Sequence, residues 1–392
     1  MPSIKIVLTL LALILSICRA AAAEASTPSY TIADLGTLGG KNCTAFALNN
    51  HSQIVGGSQT ASGITHAFIW DHGKMEDLGV LPGDKTSVAY ALNDKGQAVG
   101  SSDKSGTQPV LWDNRVIKKL PVGVGNIAFG IDEAGNVTGV VVKGDDPAAF
   151  VSVGGKVTIF GGPYSRGKAI AGGKAIGTFF TARDKAGMTY AHAFVWNAGH
   201  VRDLGLADVI GVNALNRIGQ VVGMATVDYN LPPQKQHLEA FVWQDGKIRF
   251  LGRLRGSHLN SSACGINRGG AVVGWSHAKE GYAEAVLWQN GQIINLNSCT
   301  QMPHGYRLDT AQAINDQGQI LCRGYTFTGN LKGGSFFLSM GEEIPGEVRH
   351  SFLLTPVAKP TVPPPTRSLS LPHDPPRHQQ QPLLCSRCRG GG

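Results

Sequence analysis

The side chains best suited to chemistry in this 392-residue chain are tyrosines interleaved with basic groups, late in the sequence. The stretch Asp228-Tyr229-Asn230-Leu231-Pro232-Pro233-Gln234-Lys235-Gln236-His237 places an aromatic ring, an amine and an imidazole in one long loop. Arg253, Arg255, His258, His277, Lys279 and Tyr282 follow, and then His304, Tyr306 and Arg307. Aromatic faces stack on rings and basic heads make charge-assisted bonds to acids. Tyr229, Lys235, His237, Arg255, His258, Tyr282, His304, Tyr306 and Arg307 are therefore the expected ligand-binding residues. A sugar ring or an acidic glycan suits them. For any one of them a solvated rim is an adequate explanation; their clustering is what favours binding.

Strings that imitate catalytic motifs fail on context. Gly162-Pro163-Tyr164-Ser165-Arg166-Gly167-Lys168 has phosphate-loop spacing, but Ala169 stands where a magnesium-binding hydroxyl is needed and no helix follows. Gly123-Val124-Gly125-Asn126-Ile127-Ala128 imitates a dinucleotide fingerprint yet leads into a strand. The turn acids Asp94, Asp132 and Asp316 supply one or two carboxylates each, too few for a calcium cage. His66 and His192 open the same strand in two copies, which suits strand-edge packing or a backbone hydrogen bond better than shared chemistry. The sequence thus gives no catalytic residue, no metal site and no cofactor.

The elements that position these residues are repeated hairpins. Ala89-Tyr90-Ala91-Leu92-Asn93-Asp94-Lys95-Gly96-Gln97-Ala98-Val99-Gly100 runs small and apolar residues into a tight polar turn and out again. Related copies span 45–56, 128–139, 214–223, 263–274 and 311–324, with a degenerate copy at 169–177. Each hairpin is followed by an apolar strand such as His66-Ala67-Phe68-Ile69-Trp70, a polar turn, and a strand such as Met75-Glu76-Asp77-Leu78-Gly79. Seven units at roughly forty to fifty residues, each of four antiparallel strands, predict an all-β propeller of seven blades. Phe68 and Trp70 share one strand face while Ala67 and Ile69 take the other, so both faces need cover from neighbouring blades. Cys264 falls on an inner strand and reads as a small buried residue. The N-terminal strand Tyr30-Thr31-Ile32-Ala33-Asp34-Leu35-Gly36 is expected to complete the last blade. Ser335-Phe336-Phe337-Leu338 and Ser351-Phe352-Leu353-Leu354 compete for that blade's third strand.

The His-Ala-Phe-x-Trp element, the Asp-Leu-Gly strand and the Ala-x-x-Leu/Ile-Asn-x-x-Gly-Gln hairpin resemble the HAF-type probable extracellular repeat proteins of bacteria. The resemblance covers about Tyr30 to Pro356. It implies export and a repeat architecture, and it brings no established reaction.

The ends differ from the repeats. Lys5, an apolar run from Ile6 to Ile17, Arg19 and a small-residue string through Ala25 read as a signal peptide over 1–25. Residues 26–356 hold the propeller, and 357–392 form a Pro-rich tail of disordered composition. Much of the formal charge of +8 sits in the two ends, so the repeat region is nearly neutral and is not built as a whole for nucleic acid. No stretch beyond the leader is long and apolar enough for a membrane span. The expectation is an exported, periplasmic or extracellular binding module acting through its long-loop face on an envelope glycan or envelope protein. A glycan lyase or hydrolase of propeller fold, or a purely structural scaffold, are the alternatives.

Overall fold

The computed structural model describes residues 28–357 apart from 105, 124, 144–145, 163, 181–190, 206–208, 228–235, 258, 280, 304 and 327–347. Strand β1 (Tyr30–Asp34) comes first. The first blade is β2 (Gly39–Leu48), β3 (Ile54–Thr60), β4 (Thr65–Asp71) and β5 (Lys74–Gly79); the second is β6 (Thr86–Leu92), β7 (Ala98–Asp103), β8 (Gln108–Asp113) and β9 (Val116–Lys119). The third is β10 (Ile127–Ile131), β11 (Val137–Lys143), β12 (Asp146–Val153) and β13 (Lys156–Phe160). The fourth is β14 (Arg166–Ala171), β15 (Lys174–Phe180), β16 (Ala191–Asn197) and β17 (His200–Asp203). The fifth is β18 (Val209–Leu215), β19 (Val221–Val227), β20 (His237–Gln244) and β21 (Lys247–Phe250); the sixth is β22 (Ser261–Ile266), β23 (Val272–His277), β24 (Ala283–Gln289) and β25 (Gln292–Asn295). The seventh blade joins β26 (Tyr306–Ile314), β27 (Ile320–Thr326) and β28 (Val348–Pro356) to β1. These seven four-stranded antiparallel sheets form a seven-bladed β-propeller.

The expected closure is observed. β1 pairs with β28 from Tyr30 opposite Pro356 to Asp34 opposite Phe352. The third strand of the last blade is the one containing Ser351–Leu354; Ser335–Leu338 lies outside the described residues, as do the leader and all of the tail beyond Val357.

The core lies between blades. Phe68 and Trp70 pack with Leu321 and Leu353 of the seventh blade, whereas Ala67 and Ile69 pack with Ala89, Val110 and Trp112 of the second. The same two-faced arrangement recurs around the ring. Phe68, Phe150, Phe194, Phe241 and Phe352 are fully buried, each contributing roughly 2–3 kcal/mol. Buried serines tie blades together as well: Ser87, Ser165 and Ser261 accept from the amides of Ala67, Ala149 and Ala240 in the preceding blade. Ser165 of the phosphate-loop-like string is spent in this way.

The turn residues do more than turn the chain. Asn49 donates to the Asn93 carbonyl (3.0 Å), Asn93 to that of Asp132 (3.0 Å) and Asn216 to that of Asn267 (3.1 Å). Asn267 donates to Asn315 (3.2 Å), which returns to Asn49 (3.2 Å). Local turn chemistry is therefore an incomplete account of these positions: their side chains link successive blades. The repeated histidines also differ from expectation. His66, His192 and His350 place Nδ1 2.8, 2.8 and 2.7 Å from Asp77, Asp203 and Asp34. The other carboxylate oxygen of each aspartate accepts from the glycine amide two residues on, as at Gly79 (2.7 Å). A cross-strand His–Asp pair, rather than a backbone bond or edge packing, explains why those residues co-occur.

Candidate functional site

The inner strands β2, β6, β10, β14, β18, β22 and β26 share one irregularity. Pairing to the next strand slips between Ala45 and Ala47, Ala89 and Ala91, Ala128 and Gly130, and Gly167 and Ala169. It slips likewise between Val212 and Ala214, Ala263 and Gly265, and Ala311 and Ala313. Each slip is a β-bulge, which leaves one residue unpaired and re-aims its side chain. The seven extra residues are Phe46, Tyr90, Phe129, Lys168, Asn213, Cys264 and Gln312. All seven line a central cavity of about 290 Å³. The small residues beside them, among them Ala47, Ala91 and Ala214, also border the cavity and pack against the interblade clusters.

The bulge demands glycine on the neighbouring strand. A Cβ at Gly100 would stand 1.9 Å from the Val88 carbonyl oxygen, and at Gly56 and Gly139 it would meet those of Thr44 and Ile127 at 2.2 and 2.0 Å. The aromatic side chain of the third strand crowds the same place, with Phe68 2.9 Å and Phe150 2.8 Å from such a carbon. Thus the Val-Gly of the hairpin, the Ala-x-Ala of the inner strand and the buried Phe form one packing unit. Its product is one bulged side chain per blade aimed into the channel.

Those seven side chains divide the wall into two arcs. Phe46, Tyr90 and Phe129, from consecutive blades, stack in sequence with centroids 5.3 Å apart and rings tilted by 50° and 55°. Lys168 comes next, its Nζ 5.5 Å from the Phe129 ring centre. Asn213, Cys264 and Gln312 complete the circle. Lys168 is the one charged side chain among the described lining residues. Its side chain is exposed to the channel, while the protein packed around it partly desolvates the ammonium and pulls its pKa below the ordinary value. Burial pushes the Cys264 thiol up to about 12, against the opposing pull of Arg323 and Lys168. A thiol so placed stays protonated at neutral pH. Tyr90 is raised by burial, with a bond to Ser101 opposing.

The turn-face mouth is crossed by an ion pair. Arg217, in the turn of the fifth blade, reaches Glu133 of the third (3.1 Å) and Asp94 of the second (3.5 Å). The second and fifth blades are not neighbours, so this contact runs over the central opening.

Those residues expected from sequence that are described lie on the opposite face, and the structure unites two of them. The Arg307 guanidinium stands 6.0 Å from the Tyr282 ring centre and is ion-paired with buried Glu284, which also accepts from Asn297 (2.6 Å). Tyr306 is packed between His350 (5.3 Å) and Phe352 (5.2 Å). His237 is turned to Glu239 (3.2 Å), which Arg253 also approaches (3.8 Å). Arg255 is exposed. Tyr229, Lys235, His258 and His304 lie outside the described residues. The channel set was missed, and Cys264 is a partly buried residue on the channel wall. The signal was present in the repeat itself: the bulged residue changes chemistry from blade to blade while its flanks stay alanine or glycine, Val212 apart.

No family model matches this chain, and no curated protein does. Solved propellers do. The β-propeller domain of the Trilobed protease from Pyrococcus furiosus aligns over 84% of this chain and 94% of its own, at 9% identity and a TM-score of 0.54. It is described as having an open velcro topology, whereas here β1 closes the ring on β28. An acylaminoacyl peptidase from Pyrococcus horikoshii aligns over 78% of this chain at 13% identity and a TM-score of 0.49. The chain spans 57% of that peptidase's length. The first of these likenesses shows the propeller fold.

Proposed function

We propose that this chain is a ligand-binding module whose site is the central channel. The observation that carries the reading is the ring of seven bulges, which repeats in geometry and varies only in the side chain it presents. A rigid scaffold with individual residues at one enclosed position is the arrangement small-ligand sites use. An enzyme reading needs an acid and a base converging on one bond. The channel offers one amine, one phenol, one protonated thiol and two amides, with no carboxylate or imidazole among the described lining residues, which supports binding over turnover. The apolar leader-like segment and the resemblance to exported repeat proteins support a role in the periplasm or outside the cell, with an envelope component as ligand.

A second reading keeps the long-loop face for an envelope glycan or protein, and the Tyr282–Arg307 pair favours it. One experiment separates the two. Purified full-length protein is screened against small envelope metabolites and glycan fragments by ligand-detected NMR, with product formation followed in the same tubes. Channel binding predicts saturable hits that vanish in Tyr90→Ala, persist in Tyr282→Ala and release no product. Hits lost only in Tyr282→Ala move the site to the rim, and steady product release makes the protein an enzyme.

A further inference from the structure

The two arcs of the channel narrow the class of ligand it can hold. We infer that the cavity takes a small planar organic anion, its ring lying along Phe46, Tyr90 and Phe129 and its carboxylate meeting Lys168. This inference rests on the channel being the binding site and adds what that site selects.

The aromatic arc is the apolar half of the fit. Three rings from consecutive blades, with centroids 5.3 Å apart and planes tilted by 50° and 55°, form an apolar arc, and a flat ligand stacks on one ring while its edge meets the next. The charged half follows at once around the circle. Lys168 Nζ is 5.5 Å from the Phe129 ring centre, so a carboxylate borne on the ring, or one carbon beyond it, reaches the ammonium.

Charge compensation decides the sign of the ligand. The cavity lining contains no carboxylate among the described residues. Asp309 is the one acid on the seven inner strands, and Arg323 holds it through Nε (3.0 Å to both oxygens) and Nη2 (2.7 Å). Lys168 thus faces the channel with no carboxylate beside it among the described residues, and an incoming anion supplies the missing counter-charge. A neutral sugar would use the aromatic arc and leave that charge uncompensated, and a cation would be repelled by it. A single ammonium also fails to match a polyanion.

Size and the remaining wall set the scale. A cavity of about 290 Å³ stands at the small end of ligand pockets, about 300–1,000 Å³. That fits a molecule of one or two rings and excludes an oligosaccharide from full enclosure. Across from the aromatic arc, Asn213 donates to the Ala263 carbonyl (2.8 Å), which leaves its own carbonyl oxygen for a ligand hydroxyl or amine. Gln312 adds an amide beside it.

The test uses full-length protein and three matched probe pairs: benzoate, phenylacetate and indole-3-acetate, each against its own amide, by calorimetry. The expected result is an acid at least ~10-fold tighter than its amide, the effect of a charge-assisted bond in an enclosed site. Lys168→Met should erase that preference while leaving amide affinity unchanged, and Lys168→Arg should retain part of it. Lys168 belongs to none of the interblade clusters, so a matching melting temperature confirms that each variant is folded. Equal affinity of acid and amide, or an acid preference that survives Lys168→Met, overturns the anion inference and leaves the channel as the site. Absence of binding by every probe, or binding that survives Tyr90→Ala, overturns the channel reading itself.

Discussion

Truncating Leu35 to alanine should open the ring at its seam. Leu35, Leu78 and Leu204 occupy equivalent places in the Asp-Leu-Gly strand and are 5%, 6% and 6% exposed. Each is buried in a different blade interface. Removing the same atoms from such sites costs about 2–5 kcal/mol, so packing alone predicts three similar losses. Topology predicts otherwise. β5 is joined to its blade by a short turn from β4, whereas β1 is held to its blade only by β28, with Thr31 and Thr355 324 residues apart in sequence. β1 can therefore leave as a unit, giving up its pairing to β28 and the bonds from Tyr30 to Cys299 and from Leu35 to Ser351, both 3.0 Å. Lowering the cost of that opening by about 3 kcal/mol raises exchange of the β1 amides roughly 100-fold. Hydrogen exchange read by mass spectrometry should show this in peptides covering Tyr30–Leu35 and β28 for Leu35→Ala. Leu78→Ala should lower global stability by a similar amount and leave β1 protected. Unchanged exchange of β1 in Leu35→Ala, or equal acceleration in Leu78→Ala, would refute the seam.

Three further outcomes follow from the same geometry. Gly100→Ala, whose new carbon meets the Val88 carbonyl at 1.9 Å, should lower the urea midpoint by the equivalent of ~3 kcal/mol or more. Gly73→Ala meets nothing within 4 Å at φ +88° and should cost only the ~1–2 kcal/mol of its backbone conformation. Burial works against the Asp34 carboxylate, yet the His350 bond, the Gly36 amide and the His350 charge outweigh it and hold its pKa below the ordinary 3.8. Its contribution is present above that value and is lost as pH falls through the lower folded value. Exchange protection of β1 should therefore fall with acid in the native protein and change less in Asp34→Asn. Arg217→Ala should leave melting nearly unchanged, because the pair is solvent-exposed, but speed ligand entry if entry passes the turn-face mouth; stopped-flow association rates equal to wild type at low salt would show that it does not.

The hairpins, the blade count and the seam were legible because each has a local signature. Asn49 and Asn93 precede turns that only certain residues make, and Phe68 with Trp70 alternates against Ala67 with Ile69. The rest was hidden because it depends on distant partners. Asn49 reads as a turn former, but its amide reaches Asn93, 44 residues away. His66 and Asp77 are eleven apart in sequence and meet only when β4 and β5 pair. The bulges are a choice of register, which strand alternation does not reveal. At the rim, Tyr306 carries the right chemistry for a ligand but is taken up by His350 and Phe352.

The same ties mark which positions of the repeat are free to vary. Most positions in the repeat are tied to one another: Gly100 to the bulge at Tyr90, Phe68 to Gly56, Asn93 to the next turn, His66 to Asp77. A change at any of them costs stability, because a glycine cannot gain a carbon and a buried amide cannot lose its acceptor. The bulged residue is exempt. Its backbone is unpaired on the ladder, its side chain belongs to no interblade cluster, and an amine, an amide, a thiol and an aromatic ring all occupy the same place. Three aromatics and one uncompensated lysine in adjacent blades therefore reflect a freedom that packing does not use. Exchange of Phe46 for leucine should accordingly alter ring-acid affinity while sparing the melting temperature, and a large loss of stability there would return the arc to the core.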